Sequence, residues 1–234
     1  MNASAANLAL LCTVALRLGP LRERVVFLGG ATIALLITDA DRIDIRATND
    51  VDVIVEVSSY FDYQHMLRNE LLKAGFREDT SEGAPICRWV VDGVKVDVMP
   101  TDAKILGFSN RWYPEAIRHA ELFTLPGDIE IRLITSPYML ATKLEAFRGR
   151  GNGDFIGSTD IEDIILIIDG RPSVLEEVRH ADETLRNYLA QEFAKLLDME
   201  DFNDAIPAHT LPDDANQARV PIIEDRIRAL AGRG

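Results

Sequence analysis

The chain has 234 residues, with 38 acidic against 25 basic side chains for a formal net charge of -13, and 47% of it is apolar. That length and apolar share are enough for one large core or two small ones. The acidic balance excludes a broad lysine and arginine field for holding nucleic acid, leaving room only for a small local basic patch.

Residues 3 to 18 carry leucine, alanine and valine at helical spacings, and Gly19-Pro20 supplies a stop. The apolar patch within it, Leu8 to Leu18, has no basic residue before it and is short for a bilayer span, so a buried or docked helix and no membrane association are expected, with a cleaved signal as the alternative. Arg24 to Leu28 suits a first strand, ending at Gly29-Gly30, and Ala31 to Ile37 a short helix. Thr38 to Asn49 is acidic and polar and reads as a surface loop. From Asp50 to Val57 the chain alternates, with Val51, Val53, Val55 and Val57 on one face and Asp50, Asp52, Ile54 and Glu56 on the other. Tyr60 to Ala74 repeats apolar residues at three and four, a helix ending near Gly75.

Asp92-Gly93 between CRWVV and VKVDVM is a hairpin signature, and it puts Lys95, Asp97 and Met99 on one face of the second strand. A short helix is predicted over Trp112 to Ala120. A second hairpin is predicted from Glu121 to Ile134, around Pro126-Gly127. Ser136-Pro137 reads as a helix start with a capping hydroxyl, the helix running past Lys143 to about Arg148. The glycine-rich stretch Gly149 to Gly157 follows as a loop. A helix opening at Ser158 or Asp160 then carries the stripe Ile161, Ile164, Ile165 and Ile168. Residues 173 to 196 read as one long helix, 199 to 214 as an acidic loop or lid-like wrap, and Ile222 to Leu230 as a last helix.

The pattern predicts an α/β (α+β) fold: a small mixed sheet flanked by helices over residues 1 to 134, then a mostly helical region over 135 to 234. Cys12 and Cys87 lie in no CxxC or Cys/His pattern of zinc-like spacing, which fits a reduced, cytoplasmic protein.

Asp50, Asp52 and Asp97 would project from two strands on one sheet face. Like charges that close persist only where a cation or strong hydrogen bonds stabilise them, and a hard oxygen set of this kind suits Mg2+. Gly29-Gly30 lets backbone approach a triphosphate closely, with N-H groups of the following turn facing the anion. A metal on one side and a phosphate cradle on the other point to nucleotidyl transfer.

The order of these features, an apolar run into Gly-Gly, Asp-x-Asp at a strand start and a third Asp on a later strand, resembles the nucleotidyltransferase superfamily whose members include polymerase beta. The segments GGATIAL, RATNDVDV, KLEAFRGR and DIEDIILI look like the abortive-infection (AbiEii-type) nucleotidyltransferase toxin family, over roughly Val25 to Ile168. The resemblance implies that Gly29 and Gly30 hold phosphates, that Asp50 and Asp52 bind two Mg2+ ions, and that Asp97 completes the metal site and helps activate the attacking hydroxyl. It further implies that Lys143 contacts the triphosphate and that Asp160 and Asp163 form an acidic pair. Thr32 and Arg46 are further nucleotide-binding candidates. Two intervals, Gly30 to Asp50 and Lys143 to Asp160, are longer than the family's usual ones.

The expected activity is transfer of NMP from an NTP to a hydroxyl of RNA, tRNA among them, or of protein. A toxin role beside a cognate antitoxin is implied by the resemblance alone. The rival is a non-catalytic nucleotide-sensing or protein-binding module of the same fold. A metal phosphohydrolase is less favoured because no histidine accompanies the acids.

Overall fold

The computed structural model describes residues 3–39 and 45–233. They form two units, the first within Met1–Ala34 and Asp44–Thr135 and the second within Leu35–Ile43 and Ser136–Gly234. The result is an α/β fold with a mixed sheet and a helical region. Residues 40 to 44 of the expected 38–49 loop lie outside the described residues.

In the first unit, α1 (Ala3–Leu18) continues through a tight turn at Gly19–Glu23. This helical run of 21 residues, with hydropathy 1.4, is long and apolar enough to cross a bilayer by length and composition. The α-helix itself ends at Leu18, as expected, where Gly19 takes a φ of +52°, and the tight turn that follows carries the apolar run beyond the Leu8 to Leu18 patch. Leu11, Val14, Ala15 and Leu18 are buried in the core of the unit.

The four consecutive apolar residues of β1 (Val25–Leu28) are all buried, as expected for a strand covered on both faces. A single turn at Gly30–Thr32 then leads into α2 (Ile33–Leu36), and β2 (Asp50–Val55) follows. A helix with a widened π-type stretch at Asp62–Leu67 continues as α3 (Arg68–Lys73) and ends at Gly75, whose φ is +90°. The remaining elements of this unit are β3 (Arg77–Glu78), β4 (Arg88–Val91), β5 (Val94–Pro100), α4 (Ala103–Leu106), α5 (Tyr113–Arg118), β6 (Glu121–Leu125) and β7 (Ile129–Leu133). The short edge strand β3 has no counterpart in the sequence reading, since two residues carry no periodicity.

The sheet order is β3-β4-β5-β2-β1-β7-β6. Strand β2 runs antiparallel to β1 and parallel to β5, and β1 runs parallel to β7. The β4-β5 hairpin turns at Asp92 (φ +49°) and Gly93 (φ +81°), two left-handed residues that match the twist of the strands. Strand β2 ends at Val55 rather than Val57, and Ile54, expected on the polar face, is fully buried. Only the Asp50 and Asp52 end of that face is open.

The second unit is helical: α6 (Ser136–Arg150), α7 (Thr159–Gly170), α8 (Val174–His180), α9 (Glu183–Leu197), α10 (Glu200–Ala208), α11 (Asp214–Gln217) and α12 (Val220–Leu230). Ser158 caps α7 by accepting from Ile161 N-H. Ser136, expected as a cap, is instead the first residue of α6, and its buried hydroxyl makes no hydrogen bond among the described residues. The long helix expected over 173 to 196 is two helices, because Ala181 and Asp182 are extended, with ψ of 165° and 145°. Asp182 there accepts from Tyr138 Oη at 3.2 Å.

The 199–214 stretch is largely α10 rather than a wrap. Phe202, Ala205 and Ile206 are fully buried, a helical stripe that its acidic neighbours obscure in the sequence. Phe202 meets Phe155 of the glycine-rich loop edge-on at 5.8 Å, and Phe155 stacks on Phe147 at 4.8 Å. The segment after α2 also belongs to this unit. Thr38 and Asp39 N-H groups donate to Gly170 O at 2.9 Å, and Arg171 donates to Leu36 O at 2.7 Å.

One buried polar side chain ties α1 to the approach of β2. Asn7 is fully buried, its Nδ2 donates to Arg46 O at 3.0 Å, and its Oδ1 accepts from Thr48 N at 3.0 Å. Asn7→Ala strands a buried donor and a buried acceptor, so a loss of about 2 kcal/mol is expected, measurable as a lower urea midpoint with unchanged slope. A midpoint equal to wild type would show that the anchor contributes nothing.

Candidate functional site

Three strand registers bring the first unit's polar residues into one row. Leu28 of β1 lies opposite Asp52 of β2, Asp52 lies beside Asp97 of β5, and Asp97 lies opposite Arg88 of β4. Registered neighbours share a face, with strands about 4.8 Å apart. Asp52, Asp97 and Arg88 therefore point the same way, and so does Asp50, two residues before Asp52.

The Arg88 guanidinium offsets part of the charge on this face. Nε donates to Asp97 Oδ1 at 2.8 Å, and Nη2 donates to Asp97 Oδ2 at 2.7 Å and to Asp50 Oδ2 at 3.2 Å. Both charges of the Arg88-Asp97 pair are largely covered, at 18% and 12% side-chain exposure, whereas Asp50 is 38% exposed. A partly desolvated, two-pronged pair of this kind is geometrically specific and less screened by salt than an exposed one. The hydrogen bond to Asp97 holds the Arg88 pKa well above its usual value, against the opposing effect of burial. Next to it on the chain, burial and then the Asp97 charge push the Cys87 thiol up to about 12. Behind β5, Tyr63 Oη donates to Val98 O at 3.0 Å, bracing the strand one residue beyond Asp97.

The glycine turn closes on this row from the β1 side. Gly29 has φ +78° and ψ -171°, a region open only to glycine, and a Cβ there would fall inside the Asp52 carboxylate. At Gly30 a Cβ would lie 2.7 Å from Arg46 Nη2 and 2.9 Å from Thr48 Cγ2. Thr32 is buried and pins the turn, its hydroxyl donating to Gly29 O at 2.9 Å. Gly29, Gly30, Thr32, Arg46, Asp50, Asp52 and Asp97 thus converge, although they span almost 70 residues of sequence.

The donor set fits a hard divalent cation. It offers three carboxylates on one face, with no thiolate or imidazole among them, which is the chemistry of Mg2+ rather than zinc. Arg88 already engages both oxygens of Asp97 and one of Asp50, and it is the residue that the reading of the sequence missed. Its signal was available: the two-residue turn at Asp92-Gly93 pairs Val91 with Val94 and, counting back, Arg88 with Asp97.

Lys143, Asp160 and Asp163 come together in the second unit. Lys143 Nζ lies 3.2 Å from Asp160 Oδ1 and 2.6 Å from Asp163 Oδ2, with all three side chains buried. Asp160 and Asp163 are three residues apart on α7 and so share a face. Arg150, at the end of α6, adds a two-pronged contact to Asp160 at 2.9 Å. Burial alone would raise the Asp160 pKa, but the Arg150 hydrogen bond and the Lys143 and Arg150 charges together hold it below its ordinary value.

Among solved structures, the chain is similar to the crystal structure of an antigenic nucleotidyltransferase-like protein from Paracoccidioides brasiliensis. Identity is 21%, the match covers 88% of this chain and 94% of that chain, and the TM-score is 0.49. No protein-family model matches the sequence, and no curated protein matches it.

Two outcomes are expected from this geometry. Gly29→Ala should lose about 2 kcal/mol or more, from backbone strain and from the displaced Asp52 carboxylate; a chemical denaturation curve overlaying wild type would refute the close approach. Asp160, with its folded pKa depressed, contributes stability that is present above its unfolded value near 3.8 and is lost as pH falls through the folded value. Asp160→Asn should therefore destabilise more at neutral pH than at about pH 3. Unfolding midpoints at the two pH values check this, and an equal loss at both would show that the carboxylate charge is immaterial.

Proposed function

We propose that the chain is a Mg2+-dependent nucleotidyltransferase that moves NMP from an NTP to a hydroxyl group. The observation that carries this reading is the in-register pair Asp52 and Asp97, with Asp50 on the same face and the Gly29 turn pressed against Asp52. Separately, a glycine turn or an acidic strand end is ordinary. Packed to van der Waals limits, they bring the turn that would take the phosphates directly beside the carboxylates that would hold the ions.

Asp50, Asp52 and Asp97 would hold the ions. Bound there, two Mg2+ ions supply charge stabilisation at the attacking and leaving oxygens of an in-line displacement. The turn at Gly29-Gly30 would meet the phosphates at its half-buried Gly30 end, and the Thr32 hydroxyl keeps that turn in shape. Arg46, whose guanidinium lies over Gly30, provides a cation on the phosphate side. Asp97 would take the proton of the acceptor hydroxyl at a carboxylate oxygen once Arg88 releases it. The role of Lys143 as a triphosphate contact rests on the sequence resemblance alone.

RNA, especially tRNA, or a protein side chain is the acceptor class we favour, from the resemblance to abortive-infection nucleotidyltransferase toxins. A net charge of -13 restricts any RNA contact to a local patch. A cognate antitoxin is the corresponding partner. The Arg88 clamp on Asp97 gives specific support to a second reading, a nucleotide sensor that binds without transfer, since both Asp97 oxygens are already engaged by the guanidinium.

The test is to incubate the full chain with each α-labelled NTP, Mg2+, total RNA and cell protein, and to look for label on a macromolecule. Asp52→Asn should cut labelling by about 100-fold or more, the scale of losing a group that stabilises transition-state charge. Labelling by the variant at the wild-type rate would sink the metal assignment. Nucleotide binding by wild type with no acceptor labelled would favour the sensor.

A further inference from the structure

Arg88 occupies the space that a cation shared by Asp50 and Asp97 would take. One nitrogen, Nη2, reaches both carboxylates, at 3.2 Å and 2.7 Å, while Nε holds the second oxygen of Asp97. A divalent ion and a guanidinium bridging the same two carboxylates repel each other at contact range, so the two cations are alternatives.

The guanidinium also has somewhere to go. Arg88 borders an open cleft of about 230 Å³, and among the residues lining it Asp79, whose N-H donates to Arg88 O at 3.0 Å, lies on the β3 side of β4. Asp79, on its wall, is held below its usual pKa mainly by hydrogen bonds from Ser81, with the Arg88 charge a lesser contributor. A carboxylate already within the field of Arg88 thus lies on the side away from Asp97.

We propose that Arg88 is a tethered competitor for the divalent ion: it holds Asp97 and Asp50 in the metal-free protein and must swing out of that contact before the ion is fully ligated. The inference rests on the reading of Asp50, Asp52 and Asp97 as Mg2+ ligands, and it adds a built-in threshold to that site. Without an ion, Arg88 offsets part of the repulsion between Asp50 and Asp97. With an ion, Arg88 is released toward the cleft, and the Asp97 oxygens become available for chemistry. Metal affinity is therefore lower than the donor set alone would give.

The experiment is a Mn2+ titration of the full chain without nucleotide, followed by the electron paramagnetic resonance signal of free Mn2+ and reversed with Mg2+. Arg88→Met should bind Mn2+ about tenfold or more tightly than wild type, as expected when one charge-assisted bidentate pair no longer competes. The gain should disappear in Arg88→Met with Asp97→Asn. Arg17→Met, which breaks the pair with Asp92 at the far end of the same hairpin, removes the same charge without touching the aspartates and should stay within about twofold of wild type.

If Arg88→Met fails to fold without metal, Arg88→Lys serves in its place. Lysine keeps the charge but cannot grip both oxygens, and about threefold tighter binding is expected. Equal affinity in wild type and the folded Arg88 variant would overturn the competition while leaving the metal site standing. No Mn2+ binding by either protein would overturn both. An equal gain in Arg17→Met would reduce the effect to net charge and overturn the inference.

Discussion

The parallel pairing of β2 with β5 is the constraint on which the rest of the first unit depends. It sets Asp52 beside Asp97, with Asp50 on the same face, and three like charges at sheet spacing are unfavourable without compensation. Arg88 offsets part of that charge from β4, because the hairpin register sets it opposite Asp97 and within reach of Asp50. The opposite side of these strands is apolar, with Val51, Val53, Val96 and Val98 almost wholly buried, so the strands cannot slip by one residue without turning the aspartates into the core. The same packing that fixes the core fixes the acidic row.

The glycine turn adds a second constraint at the next strand. Because a side chain at Gly29 would overlap Asp52, the turn and the carboxylate have to be shaped together. Asn7 then holds the residues before β2 from the other direction, through Arg46 and Thr48. A fully buried asparagine with backbone partners at both ends of its amide stabilises only one arrangement of the chain. Arg46 and Thr48 are thereby set against Gly30 by an interaction 39 to 41 residues away in sequence, which no local pattern announces.

The second unit solves a different electrostatic problem. Lys143, Asp160 and Asp163 are buried and mutually compensating, with Arg150 closing the partly solvated side. Removing one member of such a network leaves an uncompensated buried charge, which costs more than the intact network contributes. The helices around it were legible where apolar residues were dense, as in the isoleucine stripe of α7. They were less legible where acidic residues diluted the pattern, as in α10, or where an extended Ala181-Asp182 pair interrupts what composition reads as continuous helix.

What the sequence determined by itself follows from local rules. Side-chain alternation put Asp50 and Asp52 on one face and Asp97 on another strand's polar face. Asp92-Gly93 specified the hairpin, and with it the partner Arg88, since a two-residue turn leaves no freedom in register. Gly29-Gly30 marked a backbone that needed to be bare. What only the tertiary structure decided is non-local: the register of β2 against β5, separated by some 40 residues, the fit of Gly29 onto Asp52, and the reach of Asn7 to Arg46 and Thr48. Those contacts are chosen by the packing of both sheet faces at once, a property of the assembled core that no stretch of chain carries alone.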